Sequence, residues 1–301
     1  MQVSKAIMAY VRKKKKRKGS GDKLSWQQVV LIALVLLLAL LLIFSRGQRA
    51  ARRVGPAVTP NEPGRTELAE NPAQMRYAMA TTSKEALLGR IDPPRDADFV
   101  PVDERYASRT GMYMRREAYE AFLEMHQAAL ADGHRLVILS ATRPFDHQKR
   151  IWENKWTGQQ LLHGGIVATD IADPVERARE ILRFSAMPGT SRHHWGTDID
   201  LNSLQNDYFR HGEGREIYRW LHDNAPSFGF CQPYTAHGER RRGGYEEEKW
   251  HWSYHPLASG FLADYRELVS YGDIQGFHGA EVARQLNVIE DYVLDINREC
   301  L

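Results

Sequence analysis

Cysteine is nearly missing from this 301-residue chain, which carries only Cys231 and Cys300. Two are too few for a cysteine-rich zinc module or a disulfide scaffold, and the sequence leaves open whether they form a single bridge. Internal repeats are also absent, which excludes solenoid and propeller architectures. Acidic residues are scarce at one end: residues 1–53 hold 13 Lys and Arg against Asp22 alone, a net +12. The whole chain carries a formal +3, so the remainder carries −9. A folded part with that balance is a poor surface for nucleic acid, which is not an expected partner.

Residues 12–18 read RKKKKRK, and from Val29 to Phe44 every residue is apolar. With Trp26 and Ser45 as interfacial ends, the segment reaches the roughly 20 residues that cross a bilayer as a helix. A buried core helix rarely lacks polar residues for four turns, so a transmembrane helix is the reading. Nine Lys and Arg precede the segment and four follow it, which leaves the N-terminus in the cytoplasm and everything beyond Ser45 outside. RGQRAARR offers no small-x-small cleavage site, which favours an uncleaved anchor over a signal peptide. The expected order is a basic tail over 1–25, an anchor over 26–45, a polar stalk rich in Pro and Gly over 46–75, and a folded domain over 76–301.

Within that domain the periodicity predicts a helix with Ala118, Phe122, Met125 and Ala129 on one face, stopped by Gly133. Arg135 to Ala141 is a short apolar run of the kind that makes a buried strand, and Thr142-Arg143-Pro144 ends it, placing Arg143 at a strand mouth. Further helices are expected over 146–156, over 174–184 with Ile181, Leu182 and Phe184 inward, and over 215–224. TDIDL, 197–201, alternates, so Asp198 and Asp200 share a face. Trp250 to Tyr254 is the last strand, and Ala280 to about Asn297 reads as a terminal helix with Val282, Leu286, Ile289 and Val293 as its apolar stripe. The mixture lacks a regular βαβ rhythm, so the fold class is α+β: a small antiparallel sheet carrying the site, flanked by helices.

Two stretches carry chemistry. PGTSRHHWGTDIDLN, 188–202, offers His193 and Asp200, and GYEEEKWHWSYHP, 244–256, offers Glu248 and His251. Catalytic zinc takes three protein ligands and keeps a fourth position for water, a count that His193, Asp200 and His251 supply. Gly196 is the point where the chain must turn if His193 and Asp200 are to converge. Glu248 would serve as general base and Arg143 would stabilise negative charge developing on a scissile carbonyl. His194, His237, His255 and His278 read as structural histidines, and Asp198 as a direct ligand, a partner orienting a histidine, or a polar strand residue. Trp195, Trp250 and Trp252 either line a groove or pack.

SRHHWGTDID resembles the SxHxxGxxxD motif, and EKWH the ExxH motif, of the zinc D-alanyl-D-alanine carboxypeptidases and dipeptidases, the group that includes vancomycin-resistance enzymes and LD-carboxypeptidases. The stretch from Met112 to Gln148 resembles the helix, strand and S-x-x-R-x-x-x-x-Q segment that precedes these motifs, so the resemblance runs from about Tyr77 to His255. It implies Zn2+ held by His193, Asp200 and His251, Glu248 as catalytic base, Arg143 on the scissile carbonyl or substrate, and Gln148 and Ser191 holding the terminal carboxylate. The sequence departs from the commonest pattern at Asp198, where many relatives have Ala, and at Ala141-Thr142, where Gly-Tyr is frequent. The expectation is a zinc carboxypeptidase on the cytoplasmic membrane, its catalytic domain facing the periplasm or cell wall, that removes a terminal D-amino acid from peptidoglycan stem peptides. The alternatives are an endopeptidase or dipeptidase using the same metal, and a non-catalytic wall-binding module.

Overall fold

The structure, a computed structural model, describes residues 82–239 and 241–301. The expected tail, anchor and stalk lie outside the described residues. Among the described residues no helix is long and apolar enough to cross a membrane.

After a helical turn at Lys84–Leu87, two short strands, β1 (Phe99–Pro101) and β2 (Tyr113–Arg115), pair antiparallel and lead into helix α1 (Arg116–Ala131). Ala118, Phe122, Met125 and Ala129 of α1 are fully buried, the face that the periodicity marked. Gly133, in the left-handed region at φ 88°, turns the chain out of the helix toward β3 (Ile138–Ser140). That strand is shorter than the apolar run around it. The Asn202 side chain takes the Val137 N–H and donates to the Arg135 carbonyl, while the Asn202 N–H donates to the Val137 carbonyl, so the start of the run is held at the end of β4 largely through Asn202.

Helices α2 (Phe145–Trp156) and α3 (Pro174–Leu182) follow, the latter started by Asp173, whose side chain accepts from the Val175 N–H, with proline at the first helical position. Then come β4 (Asp198–Leu201), helix α4 (Gly212–Asn224), β5 (Phe230–Cys231), β6 (His251–Tyr254) and helix α5 (His255–Leu268). The four-stranded sheet runs β3-β4-β6-β5, every pair antiparallel. Every residue of its two central strands is buried. Their register sets Asp198 opposite Ser253, Ile199 opposite Trp252 and Asp200 opposite His251. Ile199 and Leu201 point into the core, which turns both aspartates to the other face. The architecture is α+β.

Three expectations need correction. The terminal helix expected from Ala280 is broken: a 3-10 turn at Ala280–Val282 gives way to turns, Asn287 sits in the left-handed region at φ 47°, and a π-helical stretch covers Val288–Leu294. A residue with positive φ cannot continue a right-handed helix, although Val282, Leu286, Ile289 and Val293 are all buried as the stripe requires. Phe184 lies beyond the end of α3, half-buried beside His163 and Trp250, not in the core. Finally, α5 was not expected, although Pro256 at its start and buried Leu257, Ala258, Phe261, Leu262 and Tyr265 form a helical face.

Cys231 and Cys300 form a disulfide across 69 residues of sequence. It ties the C-terminal segment to β5, and that segment braces the loop leading to β6. The Asn297 side chain donates to the Gln232 carbonyl at 3.1 Å, and the Asp295 carboxylate accepts from the Arg242 and Gly243 N–H groups at 3.0 and 2.8 Å. Closing a loop of that size restricts the unfolded chain by about 4 kcal/mol in the chain-entropy account. Replacing both cysteines by serine is therefore expected to lower unfolding stability by about that amount in a denaturant titration. An unchanged midpoint and slope would show that the bridge adds nothing.

Candidate metal centre and active site

The loop before β4 is shaped by one glycine. Arg192–Trp195 form a 3-10 turn that ends at Gly196, whose φ of 75° reverses the chain so that the ring of His193 returns toward Asp200. A side chain at Gly196 would meet the ring of Phe99, so no larger residue fits there. The segment after β3 is stitched to this loop: the Arg143 N–H donates to the His193 carbonyl at 3.0 Å. Buried His194 completes the seam, its Nδ1–H donating to the Arg143 carbonyl at 2.5 Å and its Nε2 accepting from the Gly189 N–H at 3.0 Å. Burial pushes its pKa down to about 3, which keeps this tautomer neutral.

His193, Asp200 and His251, all buried, bring one nitrogen or oxygen each within 4.8 Å of one another. Asp200 Oδ1 lies 3.3 Å from His193 Nε2 and 3.3 Å from His251 Nδ1. His193 Nε2 and Asp200 Oδ1 are nevertheless buried without a hydrogen-bond partner, because those contacts lack hydrogen-bond direction. Two buried atoms without partners, His193 Nε2 and Asp200 Oδ1, with His251 Nδ1 3.3 Å from the second, fit a metal ion better than they fit each other. The far nitrogens are committed elsewhere. His193 Nδ1–H donates to the Ala141 carbonyl and His251 Nε2–H to Asp198 Oδ1, both at 2.9 Å, which leaves Nε2 of one ring and Nδ1 of the other free as ligand atoms.

Asp198 thus touches His251 and is not part of the three-residue set. It is the hub of a buried network in which Arg192 Nε donates to Oδ1 at 3.1 Å, while Ser253 Oγ at 3.1 Å and Thr197 Oγ1 at 2.6 Å donate to Oδ2. Arg192 also donates to Ser253 Oγ at 2.7 Å. Burial alone would raise the Asp198 carboxyl, but the Arg192 guanidinium and His251 hold it well below the usual range.

Glu248 stands before β6 with Oε2 3.3 Å from His251 Nδ1. Its loop is clamped, the Glu248 N–H donating to the Tyr234 carbonyl at 2.9 Å and Gln232 Nε2 donating to the Glu248 carbonyl at 3.1 Å. Burial raises the Glu248 pKa above its ordinary value, partly offset by His251. For Asp200 burial is overridden by the two histidines, and its pKa falls. Burial would lower the His251 pKa, yet the carboxylates of Asp198, Asp200 and Glu248 drive it well upward. Three carboxylates around one buried ring are a demand for positive charge that a divalent cation meets.

These residues open on a cavity of about 670 Å3 that Arg143 and Ser191 also line. Arg143 Nε is buried without a partner, and the side chain makes no ion pair among the described residues. Gln148 does not line the cavity. It is fully buried behind the wall, where Nε2 donates to the Ala186 carbonyl at 2.7 Å. Trp195 and Trp252 pack in the core, while Trp250 lines the cavity and is only 6% exposed. Sequence reasoning left the Asp198 role open and overlooked Arg192 and Ser253. The signal for Ser253 was its place opposite Asp198 once the strands were paired.

The fold thus brings together three convergent residues that could hold a metal ion, an adjacent buried carboxylate and a cation that makes no ion pair among the described residues. Residues 111–257 match the family described as VanY, D-alanyl-D-alanine carboxypeptidase. Among curated relatives it is 29% identical over 198 residues to the putative carboxypeptidase YodJ of Bacillus subtilis, covering 62% of each chain. It is 27% identical over 194 residues to a D-alanyl-D-alanine carboxypeptidase of Enterococcus faecalis, covering 63% of this chain and 67% of that one. The chain thus spans less than two thirds of the length of the Bacillus protein. A solved structure of a mutant vancomycin-resistance D,D-pentapeptidase VanY in complex with Zn(II) is 22% identical, covers 62% of this chain and 93% of that chain, and superposes with a TM-score of 0.41.

His193→Ala and Asp200→Ala are each expected to abolish stoichiometric metal binding in purified protein, read by elemental analysis. Asp198→Ala is expected to keep the site but weaken its affinity about 10- to 100-fold in a chelator competition. Unchanged affinity in the Asp198 variant would remove its orienting role.

Proposed function

We propose that this chain is a membrane-anchored zinc carboxypeptidase that removes a C-terminal D-amino acid, D-alanine in the simplest case, from peptidoglycan stem peptides. The observation that carries the reading is the convergence of His193, Asp200 and His251 beside the buried carboxylate of Glu248, in a cavity that Arg143 enters without a counter-ion. The match of residues 111–257 to the VanY family supports the substrate class.

The donor set fits zinc, since two imidazoles and one carboxylate make the three-ligand set of zinc peptidases. Zinc held there supplies Lewis acidity toward a water molecule and the peptide carbonyl. The rest falls to the chain. Glu248, raised by burial, takes a proton from the attacking water and returns it to the departing amine. Arg143 stabilises the charge that develops on the carbonyl oxygen. His193 and His251 stay in the tautomers that Ala141 and Asp198 impose, so their ligand nitrogens keep their direction. Ser191, at the cavity wall, offers a hydroxyl to the substrate. Gln148 acts from behind, holding the Ala186 segment in place.

Placement outside the cytoplasm belongs to the same proposal. The basic tail and apolar run of residues 12–45 support an anchor with its N-terminus inside, and the Cys231–Cys300 bridge supports an oxidising compartment. A domain on the outer side meets wall peptides.

The test is incubation of the purified chain with pentapeptide and tetrapeptide stems, with and without a chelator, with products read by mass. Loss of one D-alanine that the chelator prevents is expected. Cleavage only within crosslinked fragments would make the protein an endopeptidase, and zinc binding without any cleavage would make it a wall-binding module. Glu248→Gln is expected to retain zinc and lose turnover by about 100- to 10,000-fold; a fully active variant would require another base.

A further inference from the structure

The cavity holds more positive charge than the reaction above employs. Of its cations, Arg192 is paired with Asp198 and Arg210 with Asp207, both Arg210 and Arg109 are exposed, and Arg109 has no ion pair among the described residues. Lys155 is different. It lies in the wall, half-buried, and makes no ion pair among the described residues. Its ammonium donates to the hydroxyl of Ser185, a buried residue that also lines the cavity.

The position is held firmly. Lys155 lies seven residues after Gln148 and three after Trp152 on α2, so the three side chains share one helix face. Trp152 is fully buried with its indole N–H on the His278 carbonyl, and Gln148 is bonded to Ala186, the residue after Ser185. Burial lowers the Lys155 pKa to about 8, and Arg143 pushes it the same way while Glu248 opposes. Two unpaired cations held toward one cavity repel each other, and an incoming anion relieves both the repulsion and the desolvation.

We propose that Lys155, steadied by Ser185, anchors the free carboxylate of the substrate's terminal residue and so makes the site select chain ends over interior bonds. The ammonium has three donors, of which Ser185 takes one and two remain for a carboxylate. Arg143, tied by its backbone to His193, belongs with the scissile carbonyl, and Lys155 supplies a second positive point in the lining of the same cavity. This assignment rests on the carboxypeptidase reading, because a terminal carboxylate is the one anion that every such substrate carries and that an internal bond lacks.

The test uses the full zinc-loaded chain with a stem peptide ending in D-alanine and the same peptide as its C-terminal amide. The wild type is expected to favour the free acid about 10- to 100-fold in kcat/KM, mostly through KM, the range of a hydrogen bond to a charged group. Lys155→Met is expected to lose that preference by slowing only the acid, with amide turnover and zinc content unchanged, and Lys155→Arg to recover part of it. Ser185→Ala, which leaves the charge in place, is expected to weaken the preference a few-fold. Equal losses on acid and amide in Lys155→Met, or a preference that survives it, overturn the anchor alone. If Lys155→Met does not fold, an unchanged preference in both Lys155→Arg and Ser185→Ala overturns it instead. A wild type that binds zinc but neither binds nor cuts either peptide overturns the carboxypeptidase reading and the anchor with it.

Discussion

The antiparallel pairing of β4 with β6 is the constraint on which the site depends, because its register sets Asp200 directly opposite His251 and Asp198 opposite Ser253. A slip of one residue would turn both aspartates into the core and Ile199 out of it. The ladder therefore has to hold two buried carboxylates in the middle of a sheet, beside a third at Glu248. Burying an unpaired carboxylate costs several kcal/mol even after relaxation, so the arrangement is tolerable only with matching positive charge nearby. Arg192 supplies that for Asp198, and His193 and His251 stand beside Asp200 and Glu248. A cation held at the proposed site would link metal binding to folding, since the charges that would attract the ion burden the sheet without it.

The cavity draws its charges from several elements. Asp200, His251 and Glu248 come from β4, β6 and the turn before β6, while Arg143 follows β3 and Lys155 lies on α2. The position of Glu248 depends on the far end of the chain. Its loop bonds to Gln232 and Tyr234, and Gln232 is held by Asn297, next to the disulfide that fastens the C-terminal segment. The tail that follows α5 is thus a brace for the loop that carries Glu248.

Much of this was legible in the residues. The spacing of His193, Gly196 and Asp200 already required a reversal of the chain, and the structure makes that reversal at Gly196 with a positive φ. The α1 face followed from periodicity, because one side of that helix is buried and the other is not, and the alternation of TDIDL put both aspartates on one face although β4 is buried throughout. Strands β1, β2 and β5 have only two or three residues each, too few for a period of two to register. The broken terminal helix was illegible because its apolar stripe is real, while the 3-10 turn, the left-handed Asn287 and the π-helical stretch that break it leave no mark on that stripe. Lys155 carried no signal at all, since a lysine on an amphipathic helix ordinarily faces water and only the packing of α2 against Ser185 turns this one into the cavity.

The most direct test of the central claim is X-ray absorption of the protein loaded with one equivalent of zinc. A first shell of nitrogen and oxygen only, with the multiple scattering of two imidazoles and no sulfur, is the expected spectrum. A single imidazole, a sulfur ligand, or an aqua ion bound without histidine would contradict the convergence of His193, Asp200 and His251 on one metal.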